Sequence, residues 1–283
     1  MSARLRVVHT TGFTYAGPAT SSFNEARITP RSDSRQTVIL DHVDTSPSAR
    51  LYRYTDYWGS LVTAFDLHAP HDSLEVTGTA VVEVDDEARS ADAAAATWEL
   101  LASDDVLDEH DEWLGASDYA PIRPKLSEFA REAAAGLSPV LAAEAVVAGV
   151  HGAMQYEPGT TEVHSTARDA WRQRRGVCQD YAHITLSMLR SLGIPARYVS
   201  GYLHPKASAA IGETVEGESH AWVEVWTGGW WGIDPTNNTA ITDRHVTVGI
   251  GRDYADVTPI KGIYAGGGGE SDLEVSVRIT RLA

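Results

Sequence analysis

The chain has 283 residues, 43% apolar and 22% charged, ordinary proportions that allow a real core, argue against wholesale disorder and suit two domains better than one small one. Its 39 acidic against 23 basic residues leave a net charge of −16 at pH 7, a field that repels phosphate backbones and anionic lipid, so neither nucleic acid nor membrane is an expected partner. A single cysteine excludes an internal disulfide and a zinc site built from several thiols, and with no signal-like apolar stretch at the N-terminus and no run of 18 apolar residues a cytoplasmic location is expected.

The first eighty-odd residues read as short β-rich runs at 5–8, 22–29, 37–43, 50–58, 61–67 and 74–84, punctuated by Gly17-Pro18, Ser46-Pro47, Gly59 and Pro70. This spacing suggests a small β-sandwich or barrel, and no motif in it suggests chemistry. An acidic, alanine-rich stretch at 85–96 marks a boundary. It divides the chain into an N-terminal β domain (1–85), a linker with a helical connection (86–120) and a core that includes the C-terminal strand (121–283). Helical spacing follows at Leu126, Phe129 and Ala133 and again at Leu141, Ala145 and Ala148, with Pro121, Pro124 and Pro139 where helices begin. Beyond Pro158-Gly159 a helix is expected from 178 to 192, ended by Gly193-Ile194-Pro195. Strands follow at 196–203, 219–227 and 230–234. Helices first and antiparallel strands after make an α+β arrangement, not a doubly wound sheet. Leu273, Val275, Val277 and Ile279 alternate with polar residues, a half-buried strand that closes the chain.

The window 176–238 carries the chemistry. Cys178 opens a helix whose apolar positions Tyr181, Ile184, Met188, Leu189 and Leu192 face a core. A thiol there meets unpaired backbone N–H groups and the positive end of the helix dipole, which favour a thiolate and can donate to an oxyanion. Taken alone, a lone cysteine is more often a small buried hydrophobe. Two further residues change that balance. His220 lies in a strand and Asp234 ends the next, after a Thr227-Gly228-Gly229 turn. A hairpin centred near Thr227 puts 220 opposite 234, with Cβ atoms roughly 5 Å apart on one face. A carboxylate on one imidazole nitrogen fixes the tautomer and leaves the other nitrogen for a thiol.

Gly176-Val177-Cys178-Gln179-Asp180-Tyr181-Ala182-His183, Gly193-Ile194-Pro195-Ala196-Arg197-Tyr198-Val199-Ser200-Gly201-Tyr202, Ser219-His220-Ala221-Trp222 and Asp234-Pro235-Thr236-Asn237 occur in that order. Together they resemble the transglutaminase-like superfamily, in particular its bacterial transglutaminase-like cysteine protease branch. The resemblance extends through Gly251-Arg252-Asp253-Tyr254-Ala255-Asp256-Val257 and Pro259, and the N-terminal β region resembles that branch's accessory domain. It implies a papain-like core with a Cys-His-Asp triad, whose roles fall on Cys178, His220 and Asp234, and it implies no cofactor. Animal members carry tryptophan after the cysteine, where this chain has Gln179. They also use an upstream tryptophan for the oxyanion. Trp171 stands too close to Cys178 for that role, and Tyr156 is the candidate donor instead. These departures weigh against protein cross-linking more than against thiol acyl chemistry.

Trp222 shares a strand face with His220 and is expected to line the site, as is Gln179. Trp226, Trp230 and Trp231 read as hairpin packing. His183, five residues past Cys178 on the same helix, reads as a structural hydrogen-bonder. His68, His71 and Asp72 have ligand types but sit in a loop between strands, so no metal is expected. Asp180, in the first helical turn, favours the dipole and opposes thiol ionisation. The expected function is acyl transfer from an amide through a Cys178 thioester, with hydrolysis of a peptide or isopeptide-type bond preferred. A transglutaminase using an amine acceptor, a non-catalytic binding scaffold and a metal-dependent hydrolase are the alternatives. The expected partner is a peptide or protein substrate.

Overall fold

The computed structural model describes residues 2–86, 93, 95–269 and 271–283. The acidic, alanine-rich stretch read as a domain boundary lies largely outside the described residues. The N-terminal region is built around one strand, β1 (Ser2–Ala26), with β2 (Gln36–Ser46), β3 (Leu51–Thr55), β4 (Leu61–Leu67) and β5 (His71–Asp85). The runs expected at 5–8 and 22–29 are thus one strand. Gly17-Pro18 does not end it, because the register against β5 shifts between Thr14 and Ala19 and accommodates a residue without an N–H at the irregularity.

The C-terminal strand, β14 (Ser271–Arg281), pairs antiparallel with the first half of β1, from Leu5↔Arg281 to Tyr15↔Ser271. The second half of β1 pairs with β4 and with β13 (Ile260–Gly266). The alternation read in 272–282 is real, but only Val277 and Ile279 are buried; Leu273 and Val275 are 59% and 49% exposed.

Helices α1 (Trp98–Leu101), α2 (Asp104–Glu109) and α3 (Asp111–Leu114) lead to α4 (Pro124–Ala133), α5 (Pro139–Ala153), α6 (Ala167–Gln173) and α7 (Cys178–Ser191). Pro124 and Pro139 begin helices as expected, but Pro121 lies outside one and its carbonyl accepts the Ser187 hydroxyl. Helix α5 forms where the spacing expected one, but Leu141, Ala145 and Ala148 are not its buried stripe. Leu141 is 50% exposed, while Val140, Val146, Val147 and Val150 are buried. A helix of alanine and valine has little amphipathic contrast, so its spacing does not reveal which stripe faces inward.

Helix α7 is buried nearly all round from Asp180 to Arg190, packed between α4, α5 and α6 on one side and the sheet on the other. Several of its polar side chains are satisfied within the core. Thr185 donates to the Tyr181 carbonyl, and Arg190 donates to the carbonyls of Ala196 and Arg252. The core sheet runs β11 (Thr239–Ala240), β10 (Trp230–Asp234), β9 (Thr214–Trp226), β8 (Ala196–Leu203), β12 (His245–Gly251), all antiparallel. The first residues of β9 also pair with β14, from Val277↔Gly217 to Thr280↔Thr214. Core sheet and N-terminal sheet are therefore hydrogen-bonded to each other. Among the described residues no helix is long and apolar enough to cross a membrane.

Candidate active site

Cys178 is the first residue of α7, and the glycine two positions before it leaves no room for a side chain. A Cβ at Gly176 would lie 2.4 Å from the Asp180 carboxylate, which reaches back to accept the Val177 N–H at 2.8 Å. Asp180 also accepts the Thr161 hydroxyl at 2.7 Å. Burial raises its pKa, and the Val177 and Thr161 hydrogen bonds oppose that rise. Its role is thus to cap α7 and tie down the preceding loop. A two-residue parallel ladder, β6 (Gln155–Tyr156) with β7 (Arg175–Gly176), sets Tyr156 beside Gly176.

His220 and Asp234 are in direct contact, with Nε2 and Oδ2 2.7 Å apart and both side chains buried. They are not opposed residues. The hairpin pairs Trp226 with Trp230 and Val223 with Ile233, so the same register puts Asp234 opposite Trp222, and His220 is its diagonal neighbour. Residues 227–229 form the loop as expected, but it is centred on Gly228, one position later than Thr227. A slip of two leaves every side chain on its face, which is why the contact survives.

The Cys178 thiol stands near enough to the imidazole to act on its charge, and both line one cleft. Burial alone would lower the His220 pKa, but the hydrogen bonds and charges of Asp234 and Cys178 outweigh it and raise the value to about 10. Asp234 is held well below the usual carboxylate range. Burial would push it up, but His220, His245 and Asn237 all donate to it. Its Oδ2 takes the Asn237 side-chain amide at 2.7 Å, and Oδ1 takes the backbone N–H groups of Thr236 and Asn237 at 2.9 and 3.1 Å. A carboxylate with this many donors stays charged and does not turn.

Thiol and imidazole open into a cleft of about 640 Å³. Its far wall comes from the N-terminal sheet, where Phe13 and Thr11 on β1 stand opposite Leu273 and Val275 on β14. A second, more polar cleft of about 530 Å³ meets the other side of His220 and is bordered by Tyr156, Glu218, Asn237, Arg244 and His245.

The other expected site residues fare differently. Tyr156 is exposed by 45% and lies close enough to Cys178 to feel its charge. Burial of its ring edge, then the Cys178 charge, push its pKa up to about 12, so it stays a protonated donor. Gln179 borders the larger cleft, but its amide already donates to the Val163 carbonyl at 2.9 Å. Trp222 does not line the site. It is fully buried with Val199, Ile241 and Ile250 behind His220, so the shared strand face leads into the core. His183 is also fully buried and accepts the Tyr254 N–H at 3.2 Å. His71 hydrogen-bonds the Ala69 carbonyl and Ser22, and His68 meets Phe23 edge-on.

The residue that sequence reasoning missed is His245, at the start of β12, with Nε2 3.4 Å from Asp234 Oδ2. Asn237, quoted only as part of a motif, is a direct donor to the carboxylate. His220, Asp234 and His245 also form a donor set of the type that holds metals, all within 4.8 Å. The 2.7 Å contact between His220 and Asp234 is, however, a direct charge-assisted hydrogen bond with no room for an ion between the two atoms.

The chain matches the family model of the transglutaminase-like superfamily over residues 127–235 and that of the bacterial transglutaminase-like N-terminal region over residues 5–83. An uncharacterized protein of Mycobacterium leprae is 54% identical over 280 residues, 99% of each chain. The protein-glutamine gamma-glutamyltransferase of Pseudomonas aeruginosa is 40% identical over 73 residues, 24% of this chain and 11% of its own. In the crystal structure of a candidate cysteine protease from Cytophaga hutchinsonii the fold is shared, with a TM-score of 0.79 at 18% identity, over 100% of this chain and 92% of that one.

Proposed function

Because the chain belongs to the transglutaminase-like superfamily, and its one thiol lines the same cleft as an imidazole bonded to a buried carboxylate, we propose that it is a thiol hydrolase of peptide or isopeptide-type amides. The observation that supports this reading most is the buried His220–Asp234 pair, 2.7 Å apart, opening into the same cleft as the Cys178 thiol at the start of α7. In the first step the Cys178 sulfur attacks the amide carbonyl carbon while His220 holds the thiol proton. The carbon–nitrogen bond then breaks, and His220 passes that proton to the departing amine. Water next attacks the thioester, giving up a proton to His220. The carbonyl–sulfur bond breaks, an acid leaves, and the proton returns to Cys178. The Cys178 and Gln179 backbone N–H groups at the start of α7 and the Tyr156 hydroxyl would receive the oxyanion.

An amine in place of water turns the same thioester into a new amide. The Pseudomonas aeruginosa relative, whose name is that of a glutamyltransferase, favours this second reading. One experiment separates the outcomes. The protein is incubated with a peptide library and a labelled primary amine, and the products are read by mass spectrometry. Cleaved or deamidated products are expected, amine-tagged ones would establish the transferase, and an unreacted library with Cys178 inert to iodoacetamide would leave a binding scaffold.

A further inference from the structure

His245 is held at both ring nitrogens. The Thr242 backbone N–H points at Nδ1 from 3.0 Å. A backbone amide only donates, so Nδ1 is bare, and the neutral ring carries its proton on Nε2, the nitrogen 3.4 Å from Asp234 Oδ2. Oδ2 therefore collects donors from His220, Asn237 and His245. The ring is buried and packs edge-on against Trp222 at 5.3 Å between centroids, leaving it little freedom to turn.

The segment that carries His245 is clamped from the N-terminal region. Arg35, buried between β1 and β2, donates to the carbonyls of Thr242 (3.2 Å) and His245 (2.6 Å) and to the Thr247 hydroxyl (3.3 Å). Gln36 pairs with the Thr247 backbone in both directions, accepting its N–H at 2.8 Å and donating to its carbonyl at 2.7 Å. These bonds lock both ends of 242–247, which supplies the partner of Nδ1 as well as the ring itself.

We propose that His245 is a positioning residue, a neutral donor that fixes the Asp234 carboxylate against His220, and that the Arg35–Gln36 corner of the N-terminal region holds it in place. The proposal rests on the thiol reading above and gives the β region a part in the chemistry beyond walling the cleft. The charged and titratable groups facing His245 are Asp234 from β10, His220 from β9 and Arg35 from the β1–β2 connection. Burial lowers its pKa. Asp234 opposes that, while the charges of His220 and Arg35 add to it, and the balance keeps the ring uncharged at neutral pH.

The test is nitrogen NMR of the full chain with labelled histidines, paired with steady-state kinetics. At pH 7 His245 is expected neutral and protonated on Nε2, and His220 charged. His245→Leu should lower the His220 titration midpoint and cut kcat about 10-fold or more with KM little changed, the size of loss that a misplaced catalytic group produces. His245→Gln keeps a neutral N–H donor and should recover most of both. Arg35→Leu should shift the His220 midpoint the same way by less. A His245 protonated on Nδ1, or charged at pH 7, overturns the proposal without any variant having to fold. So does a folded His245→Leu protein with the original His220 midpoint. An inert Cys178 in a protein whose His220 midpoint still answers to His245 removes the thiol reading alone and leaves the coupling standing.

Discussion

The core and the N-terminal region meet at one cleft but place their histidines in opposite environments. In the core, His220 touches a carboxylate and stands near a thiol, and against the effect of burial its pKa rises to about 10. On the N-terminal side, His9 borders the same cleft with only hydroxyl partners, Tyr202 at 2.8 Å and Thr11 at 3.0 Å, and burial lowers its pKa to about 4. The Tyr202 hydroxyl gives its proton to the Ile28 carbonyl, so His9 donates through Nδ1 and accepts through Nε2, a satisfied neutral ring. Two rings facing one cleft thus differ because of what stands behind them. On the proposed reading the core supplies the reactive atoms, and the β region supplies shape and restraint.

That division is broken most directly at the thiol. Cys178→Ala should remove turnover and, since the chain has one cysteine, all iodoacetamide labelling. Turnover that persisted would move the chemistry elsewhere and end the distinction. The next largest effect is expected at Asp234→Asn, which keeps the volume but not the charge. Loss of an oriented base should lower kcat by about 10²–10⁴-fold and bring the His220 midpoint back toward its ordinary value. An undiminished kcat would mean that the carboxylate serves only the fold. On the other wall, Phe13→Ala with Leu273→Ala should raise KM about 3- to 10-fold and leave kcat alone, because apolar burial that serves ground and transition states equally contributes to binding only. A fall in kcat without a change in KM would give the β region a role in the chemical step through its cleft face.

The reactive residues were legible because each is tied to a local pattern. Cys178 stands at a helix start, and His220 and Asp234 stand on adjacent strands joined by a short glycine turn. The two-residue error in register came from that turn, whose sequence does not say which residue is its centre, and strand periodicity made the error harmless. Long-range pairing was not legible. Nothing in Leu273, Val275, Val277 and Ile279 says that β14 lies along β1. The buried face of α5 was not legible either, for want of contrast between alanine and valine. His245 and Arg35 escaped for a different reason: Arg35 grips backbone carbonyls some two hundred positions away, and a carbonyl offers the same acceptor whatever the side chain. Sites made by side chain against backbone leave no signature in residue type.

The smallest expected effect, in stability, sharpens the contrast between the two histidines. A group whose pKa is raised on folding binds its proton more tightly in the native state, so its contribution is complete below the unfolded value near 6.5 and is lost as pH rises through the folded value. For His220 that loss runs from about 6.5 to about 10. A lowered pKa has the reverse sign. His9, at about 4, and the buried His183, at about 3, favour the native state above 6.5 and cease to do so as pH falls toward those values. Chemical denaturation measured across pH should therefore decline on both sides of neutrality for separable reasons. Asp234→Asn should flatten the alkaline limb and spare the acid one between pH 6.5 and about 4, because the carboxylate's own depressed pKa adds to stability loss only below its unfolded value near 4. His9→Gln, which keeps a donor and an acceptor but cannot titrate, should flatten part of the acid limb and spare the alkaline one. If either substitution moved both limbs together, the two rings would be coupled through the cleft, and restraint and reactivity would not divide between β region and core.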